Sequence, residues 1–234
     1  MTTVYEPDAY WEARGGESYR AYVNSPEYAV YREEQARFFS RLVAELNPRT
    51  LLDFGCGTGK LFPFWSPVPE VHGYDRSRSQ LAVAHQEALR ICPGNPYSLM
   101  CGAACGEPLV PSEAEGSRTA AGRTRLPYDN EYFDLVVAAE VLLHVVPGEI
   151  AAMVAELHRV CRGTLAIVTA APFDNPAPHN FNHDYLTLLQ GWFAVVDDHV
   201  QHAQRYLVGR RLDNAAPGTP AAAGREKDHA LVTS

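Results

Sequence analysis

Apolar residues recur at three- and four-residue steps over residues 26–46: Tyr28, Tyr31, Phe38, Phe39, Leu42, Val43 and Leu46, with Arg32, Glu33, Glu34 and Arg37 between them. That spacing predicts an amphipathic helix. Ser25 ahead of Pro26 predicts a cap with proline at the first helical position, and Asn47-Pro48 predicts its stop. Residues 51–54 read as a short apolar strand running straight into glycines, and residues 71–74 as a second strand ending at Asp75. Downstream, the pattern predicts a helix over 80–90 and strands over 97–100 and 133–139. It continues with a helix over 147–159, a strand over 164–169, a short helix over 185–189 and strands over 192–196 and 206–210. Strands alternating with helices imply an α/β fold with a mostly parallel sheet covered on both faces.

Two segments break the rhythm. Residues 102–125 are rich in Gly, Ala, Ser, Glu and Pro without a sustained period and read as a long surface loop; residues 213–234 read as a disordered tail. The expected organisation is an N-terminal helical lid or cap over 1–48, a core over 49–212 and the tail.

Composition narrows the function. A net charge of −8 and a pI near 5.6 argue against nucleic acid as the main partner, because phosphate binding needs a basic field. No stretch approaches the ~20 apolar residues of a membrane span, and residues 1–8 lack an apolar leader core, so a cytoplasmic protein is expected. The expected partner is a small-molecule substrate and the expected state a monomer or homodimer. Five cysteines are an odd number that suits no disulfide framework. Cys101 and Cys105 are followed by no second pair at ligand spacing, and His179 and His183 have no carboxylate set beyond Asp174 and Asp184, so no metal is expected. All basic residues except Lys60 and Lys227 are arginine, a bias that fits a high-GC bacterial genome.

Chemistry concentrates after the first strand. Asp53 is followed by Gly55-x-Gly57-x-Gly59, a turn whose glycines permit positive φ and remove side chains that would hold a ligand off the main chain. Asp75, at the end of the next strand, can accept both hydroxyls of a ribose. Nicotinamide cofactors use a related turn, but their Gly-x-Gly-x-x-Gly spacing brings a diphosphate onto a helix N-terminus. Here the third glycine comes one residue early and an acid precedes the loop, which favours a cofactor carrying an ammonium and a carboxylate.

At these residues the chain resembles the class I S-adenosylmethionine-dependent methyltransferases, nearest to the broad small-molecule set that includes the ubiquinone-type enzymes. The resemblance runs through residues 51–59, the ribose-binding strand at 71–77, and Leu126-Pro127-Tyr128 with Phe133-Asp134. It continues through Glu140-Val141-Leu142-Leu143-His144-Val145 and Glu156-Leu157-His158-Arg159-Val160, with Tyr10-Trp11-x-x-Arg14 and Tyr19 ahead of it. It implies a Rossmann-like, seven-stranded sheet whose last strand runs antiparallel, and the short gap between residues 196 and 206 suits that hairpin. It further implies that Gly55 and Gly57 line the methionine part of the cofactor, that Cys56 and Gly59 belong to the same cofactor-binding loop, and that Asp53 helps hold the cofactor's amino group. Asp75 takes the ribose, Arg76 lies beside the adenine with Tyr19 near the cofactor, and Ala139 and Glu140 face the sulfonium side. The product of such an enzyme is S-adenosylhomocysteine. One departure stands out: where the family often places an acid against the adenine amine, this chain has Cys101-Gly102-Ala103-Ala104, leaving main-chain groups or Glu107 for that role.

His144, just beyond the fourth strand's carboxyl end, is the first candidate for a base; the rival reading is a histidine that packs at a helix start and bonds a carbonyl. Tyr10, Trp11, Arg14, His179 and His183 are the candidate substrate contacts. Tyr28 and Tyr31 are set aside as lid residues because helical spacing already explains them. The expected function is methyl transfer to a small organic acceptor in bacterial specialised metabolism. The alternatives are a non-catalytic module that binds the same cofactor, or a nicotinamide oxidoreductase.

Overall fold

The computed structural model describes residues 5–93, 97–102, 125–173 and 177–213. The loop expected over 102–125, apart from its two end residues, and the tail expected over 213–234, apart from Asp213, lie outside the described residues, as do Cys105, Glu107 and Asp174.

Seven strands form one sheet in the order β3-β2-β1-β4-β5-β7-β6. In chain order they are β1 (Thr50–Phe54), β2 (Glu70–Asp75), β3 (Ser98–Cys101), β4 (Phe133–Ala139), β5 (Cys161–Ala170), β6 (Phe193–Gln201) and β7 (Gln204–Arg211). β3-β2-β1-β4-β5 pair in parallel, while β7 runs antiparallel between β5 and β6. The chain therefore steps outward from β1 to β3, then returns to β4 on the other side of β1. That reversal opens a crevice at the carboxyl ends of β1 and β4. The hairpin expected near residues 196–206 is tighter than the spacing suggests. Both strands extend to a two-residue turn at His202-Ala203, whose φ values of 46° and 60° suit the right-handed strand twist.

β1 shows how the sheet is packed. Side chains alternate across a strand: Leu51 joins one cluster with Phe39 and Leu42 of α3 (Ala29–Leu46), Trp65 of α4 (Phe62–Trp65) and Leu81 of α5 (Arg78–Ile91). Leu52 and Phe54 join another with Val154 and Leu157 of α6 (Ile150–Val160) and Leu189 of α7 (Tyr185–Leu189). Ahead of these elements come α1 (Pro7–Arg14) and α2 (Gly16–Val23), both within the expected lid segment.

Three helix starts differ from the periodicity. The first helix begins at Ala29 after a short 3-10 turn over Pro26–Tyr28, and Ser25 makes no side-chain cap. The Arg32 guanidinium fastens this turn instead, donating to the carbonyls of Val23 at 2.7 Å and Ser25 at 3.0 Å. α5 starts two residues early because Ser77 Oγ accepts the Gln80 N–H, an N-cap. α6 starts at Ile150, since Val146 to Glu149 close a turn first. Asn47 stops α3 as expected, in the left-handed conformation with its N–H on Val43 O.

Candidate active site

The glycine loop forms the floor of the crevice. Gly55, Gly57 and Gly59 have φ of 75°, 54° and 77°. The Gly55 and Cys56 N–H groups donate to Tyr74 O of β2, at 2.7 and 3.1 Å, so the loop is latched to the neighbouring strand. A Cβ on Gly55 would stand 2.4 Å from Val141 Cγ2, because the segment after β4 packs directly on the loop. Asp75, at the end of β2, accepts Gly57 N–H through Oδ2 at 2.8 Å and Ser77 N–H through Oδ1 at 2.9 Å. Burial raises its pKa above the ordinary value, and the two backbone donors oppose that rise. Each oxygen keeps acceptor capacity for a hydroxyl.

The cleft above this floor encloses about 940 Å³ including its solvent-filled mouth, at the upper end of ordinary ligand pockets. One wall is aromatic, with Tyr5, Trp11, Tyr19, Phe54 and Tyr74. On the β4 side lie Ala139, Glu140, Val141, His144, Val145 and Met153. α1 and α2 hold the aromatic wall in place. Glu12 accepts Ser77 Oγ at 2.8 Å and Ser79 N–H at 3.2 Å at the start of α5, and Asp8 pairs with Arg76 at 3.2 Å. Gly16 is in such close contact with Ser79 O that a Cβ would approach to 2.2 Å.

Glu140 anchors a second polar cluster. Its φ is 56°, an uncommon conformation for a residue with a side chain. Its carboxylate accepts from Lys60 Nζ at 2.5 Å, Gln204 Nε2 at 2.5 Å and the Tyr28 hydroxyl. Burial works against the Glu140 anion, but Lys60 and the other donors outweigh it and hold the pKa below the usual carboxylate range. Burial opposes the Lys60 cation as well, and the Glu140 charge overcomes it, so the ammonium is held above its ordinary pKa. Tyr28 is held well above the ordinary phenol range by burial and by Glu140.

His144 lines the cleft and donates through Nδ1–H to the carbonyl of His179 at 2.9 Å, since a carbonyl partner can only accept. Nε2 carries no hydrogen bond among the described residues. Burial pushes the His144 pKa down to about 4, so the ring is neutral at pH 7.

The structure brings together Trp11, Tyr19, Gly55, Cys56, Gly57, Asp75, Arg76, Ala139, Glu140 and His144 around one cleft. Six other candidates do not line it. The pleat of β1 turns Asp53 to the same face as Leu51, where Oδ2 accepts the Trp65 indole N–H at 2.9 Å. Gly59 turns the chain into α4, and a Cβ there would meet the Phe62 ring at 2.7 Å. Tyr10 stacks on His179 at 4.5 Å and accepts from Arg14 at 3.0 Å, behind Trp11. His183 Nε2 bonds Val145 O at 3.0 Å and braces the wall. His144 bonds a carbonyl, as the rival reading expects, and it also lines the cleft. At the departure noted after β3, Gly102 lines the cleft against Tyr74, whose hydroxyl a Cβ would meet at 2.6 Å.

Sequence reasoning missed Lys60, Tyr28 and Gln204. Lys60 carried a signal, being one of two lysines in the chain and the residue directly after the loop. Tyr28 was hidden by a helical spacing that explained it too well, and Gln204 by its distance along the chain. Among the described residues no group of His, Cys, Asp and Glu could hold a metal ion, and no helix is long and apolar enough to cross a membrane.

A doubly wound sheet with a glycine loop after β1, an acid ending β2 and a final antiparallel strand defines the architecture of the class I methyltransferases. Residues 52–167 match the family described as "Methyltransferase domain". Magnesium protoporphyrin IX methyltransferase (ChlM) from Synechocystis PCC 6803, solved with bound S-adenosylhomocysteine, is similar in fold. Its TM-score is 0.65 at 18% identity, covering 88% of this chain and 98% of that one. The PH0226 protein from Pyrococcus horikoshii OT3 gives 0.60 at 18% identity, covering 81% and 93%. The [4+2]-cyclase SpnF gives 0.54 at 18% identity, covering 75% and 81%. No curated protein sequence matches the chain. The match and the fold together show a methyltransferase domain in this chain, on the class I methyltransferase architecture. That decides between the two readings of the glycine turn in favour of S-adenosylmethionine.

The site's own chemistry fits that cofactor. Positive-φ glycines give main-chain approach, Asp75 offers a diol acceptor, aromatic rings suit a purine, and Lys60 with Glu140 offers charge for an amino-acid end.

Proposed function

We propose that the enzyme methylates a small organic acceptor in specialised bacterial metabolism, and that the acceptor sits on the β4 side of the cleft. The observation carrying this reading is the make-up of that side. Val141, Val145 and Met153 are apolar, and His144 is a neutral imidazole with one free nitrogen. A large polyanion finds no field here, since both cations lining the cleft, Lys60 and Arg76, already face carboxylates.

When bound, S-adenosylmethionine supplies a methyl group on a sulfonium, the electrophile of the reaction. Asp75 is assigned to the ribose hydroxyls, the Gly55-Cys56-Gly57 main chain to the methionine part, and Arg76 to the neighbourhood of the adenine. Of the expected lid segment, α1 and α2 cover the cleft, and their Trp11 and Tyr19 exclude water and hold the reacting groups in line. His144 Nε2 accepts a hydrogen bond from the acceptor's O–H or N–H and aims its lone pair. A ring with a pKa near 4 is a weak base, so orientation is its main contribution; it takes a proton only from an acidic acceptor group such as a phenol.

Calorimetry with S-adenosylhomocysteine tests the cofactor site, with one equivalent expected per chain. Mass spectrometry of reactions with phenolic, carboxylic and amine acceptors tests transfer. Binding without consumption of S-adenosylmethionine across that panel would favour the non-catalytic alternative. That arm matters because one fold relative is named as a cyclase. His144→Phe should lower kcat and leave S-adenosylhomocysteine affinity unchanged; an equal loss in both would remove it from the acceptor side.

A further inference from the structure

Two cations line the cleft, and they are used differently. Arg76 lies at the end of β2 beside Asp75 and pairs with Asp8 of α1. Lys60 directly follows the glycine loop, with its side chain only 13% exposed. An ammonium carries three N–H donors. Among the described residues, Lys60 makes one hydrogen bond, to Glu140 Oε2, and its Nζ stands 5.4 Å from the centre of the Tyr28 ring.

Glu140 does not depend on Lys60 alone. Tyr28 donates to the same oxygen, and Gln204 donates to the other. Gln204 is itself held by donors from Gln35 at 3.2 Å and Tyr206 at 3.0 Å. The cluster thus fixes a cation at the cleft wall and satisfies its counter-ion from behind. Two donor directions of a buried ammonium then remain for a ligand, and leaving such donors unmet is costly.

Asp53, the acid that the resemblance assigns to the amino-acid end of the cofactor, is bonded to Trp65 outside the cleft. The resemblance names no residue for the cofactor carboxylate. We propose that Lys60 is the residue that binds the carboxylate of the cofactor's amino-acid end, with Glu140, Tyr28 and Gln204 positioning it. The inference rests on the cleft being the S-adenosylmethionine site and adds a residue to it.

The test uses two ligands that share the adenosine half. S-Adenosylhomocysteine carries the amino-acid end; 5′-methylthioadenosine lacks it. Calorimetry on the full chain should show Lys60→Met weakening S-adenosylhomocysteine by about tenfold to a hundredfold, the range of a charged hydrogen bond. The affinity for 5′-methylthioadenosine should change less than about twofold, within the scatter of a surface change. Lys60→Arg should recover most of the loss. An equal fall for both ligands, or no fall for either, overturns the assignment and leaves the cofactor site standing. Failure of the unaltered chain to bind S-adenosylhomocysteine overturns both. If Lys60→Met does not fold, the double variant Lys60→Met with Glu140→Gln removes both charges and carries the same comparison.

Discussion

Asp53 gives the sharpest test of how the loop is built. It is 2% exposed, and its one hydrogen bond among the described residues comes from the Trp65 indole. Burial raises its carboxyl from 3.8 to about 7, against the opposing pull of Trp65 and Lys60. For an acid whose folded pKa is raised, the native state keeps its proton over a range where the unfolded chain has released it. Stability therefore falls as pH rises from about 4 to about 7. A shift of about three units at 1.36 kcal/mol each amounts to roughly 4 kcal/mol in total. About 2 to 3 kcal/mol of that falls between pH 5 and pH 8. Asp53→Asn keeps an oxygen for the Trp65 N–H and removes the titration, though its amide N–H₂ needs partners of its own. Urea denaturation of both proteins at pH 5 and pH 8 isolates the residue, because every other titrating group cancels in the difference. The variant should gain about 2 kcal/mol relative to the parent on going from pH 5 to pH 8. A difference that does not move with pH would refute the claim that Asp53 is a buried acid turned away from the cleft.

Other perturbations test neighbouring steps. Asp75→Ala strips the acceptor from Gly57 and Ser77 and from the ribose; S-adenosylhomocysteine affinity should fall about tenfold or more by calorimetry, and unchanged affinity would remove Asp75 from the site. Gly55→Ala and Gly15→Ala both place a Cβ at positive φ, but only the first meets an obstacle, at Val141. Both should lose about 1–3 kcal/mol to the backbone, and Gly55→Ala about 1–3 kcal/mol more to overpacking; equal losses in thermal melts would deny the contact. Trp65→Phe leaves the Asp53 anion without its donor, so its melting temperature should drop more at pH 8 than at pH 5, and a uniform drop would point to packing alone. Because the His144 ring is neutral above about pH 5, kcat should be level from pH 6 to pH 8 with an acceptor that carries no titrating group; a rise through pH 6.5 would show an ordinary histidine.

β1 and β4 were legible as short apolar runs, and β2 by the acid that ends it. The expected strands at 51–54, 71–74 and 133–139 fall within β1, β2 and β4, and the glycines and Asp75 land around one cleft. Boundaries were harder wherever a tertiary contact outvoted local pattern. Pro26 opened a 3-10 turn and not the helix itself, because Arg32 reaches back to two carbonyls. Asp53 shows the deeper difficulty. A motif says which residue types occur at a spacing, whereas the pleat of the strand decides which face each one serves. In β1 that parity sends Asp53 with Leu51 toward Trp65, and Asp53 does not line the cleft.

The Lys60 cluster lies beyond pattern reading for a related reason. Its members come from the 3-10 turn at Tyr28, the end of the glycine loop, the end of β4 and the start of β7, and only the antiparallel insertion of β7 between β5 and β6 brings Gln204 to Glu140. No window of sequence contains that contact. Glu140 is held at a positive φ by partners from three other segments, the over-determination that a strained residue requires to persist. The glycine loop thus shapes the floor of the cleft, and the closure of the far edge of the sheet fixes the Lys60–Glu140 pair in its wall. The β4 side has neither guide. Beyond Glu140 it offers Ala139, Val141, Val145, Met153 and one imidazole, residue types that serve many ligands equally, so under the proposed function shape selects the acceptor there more than any motif does.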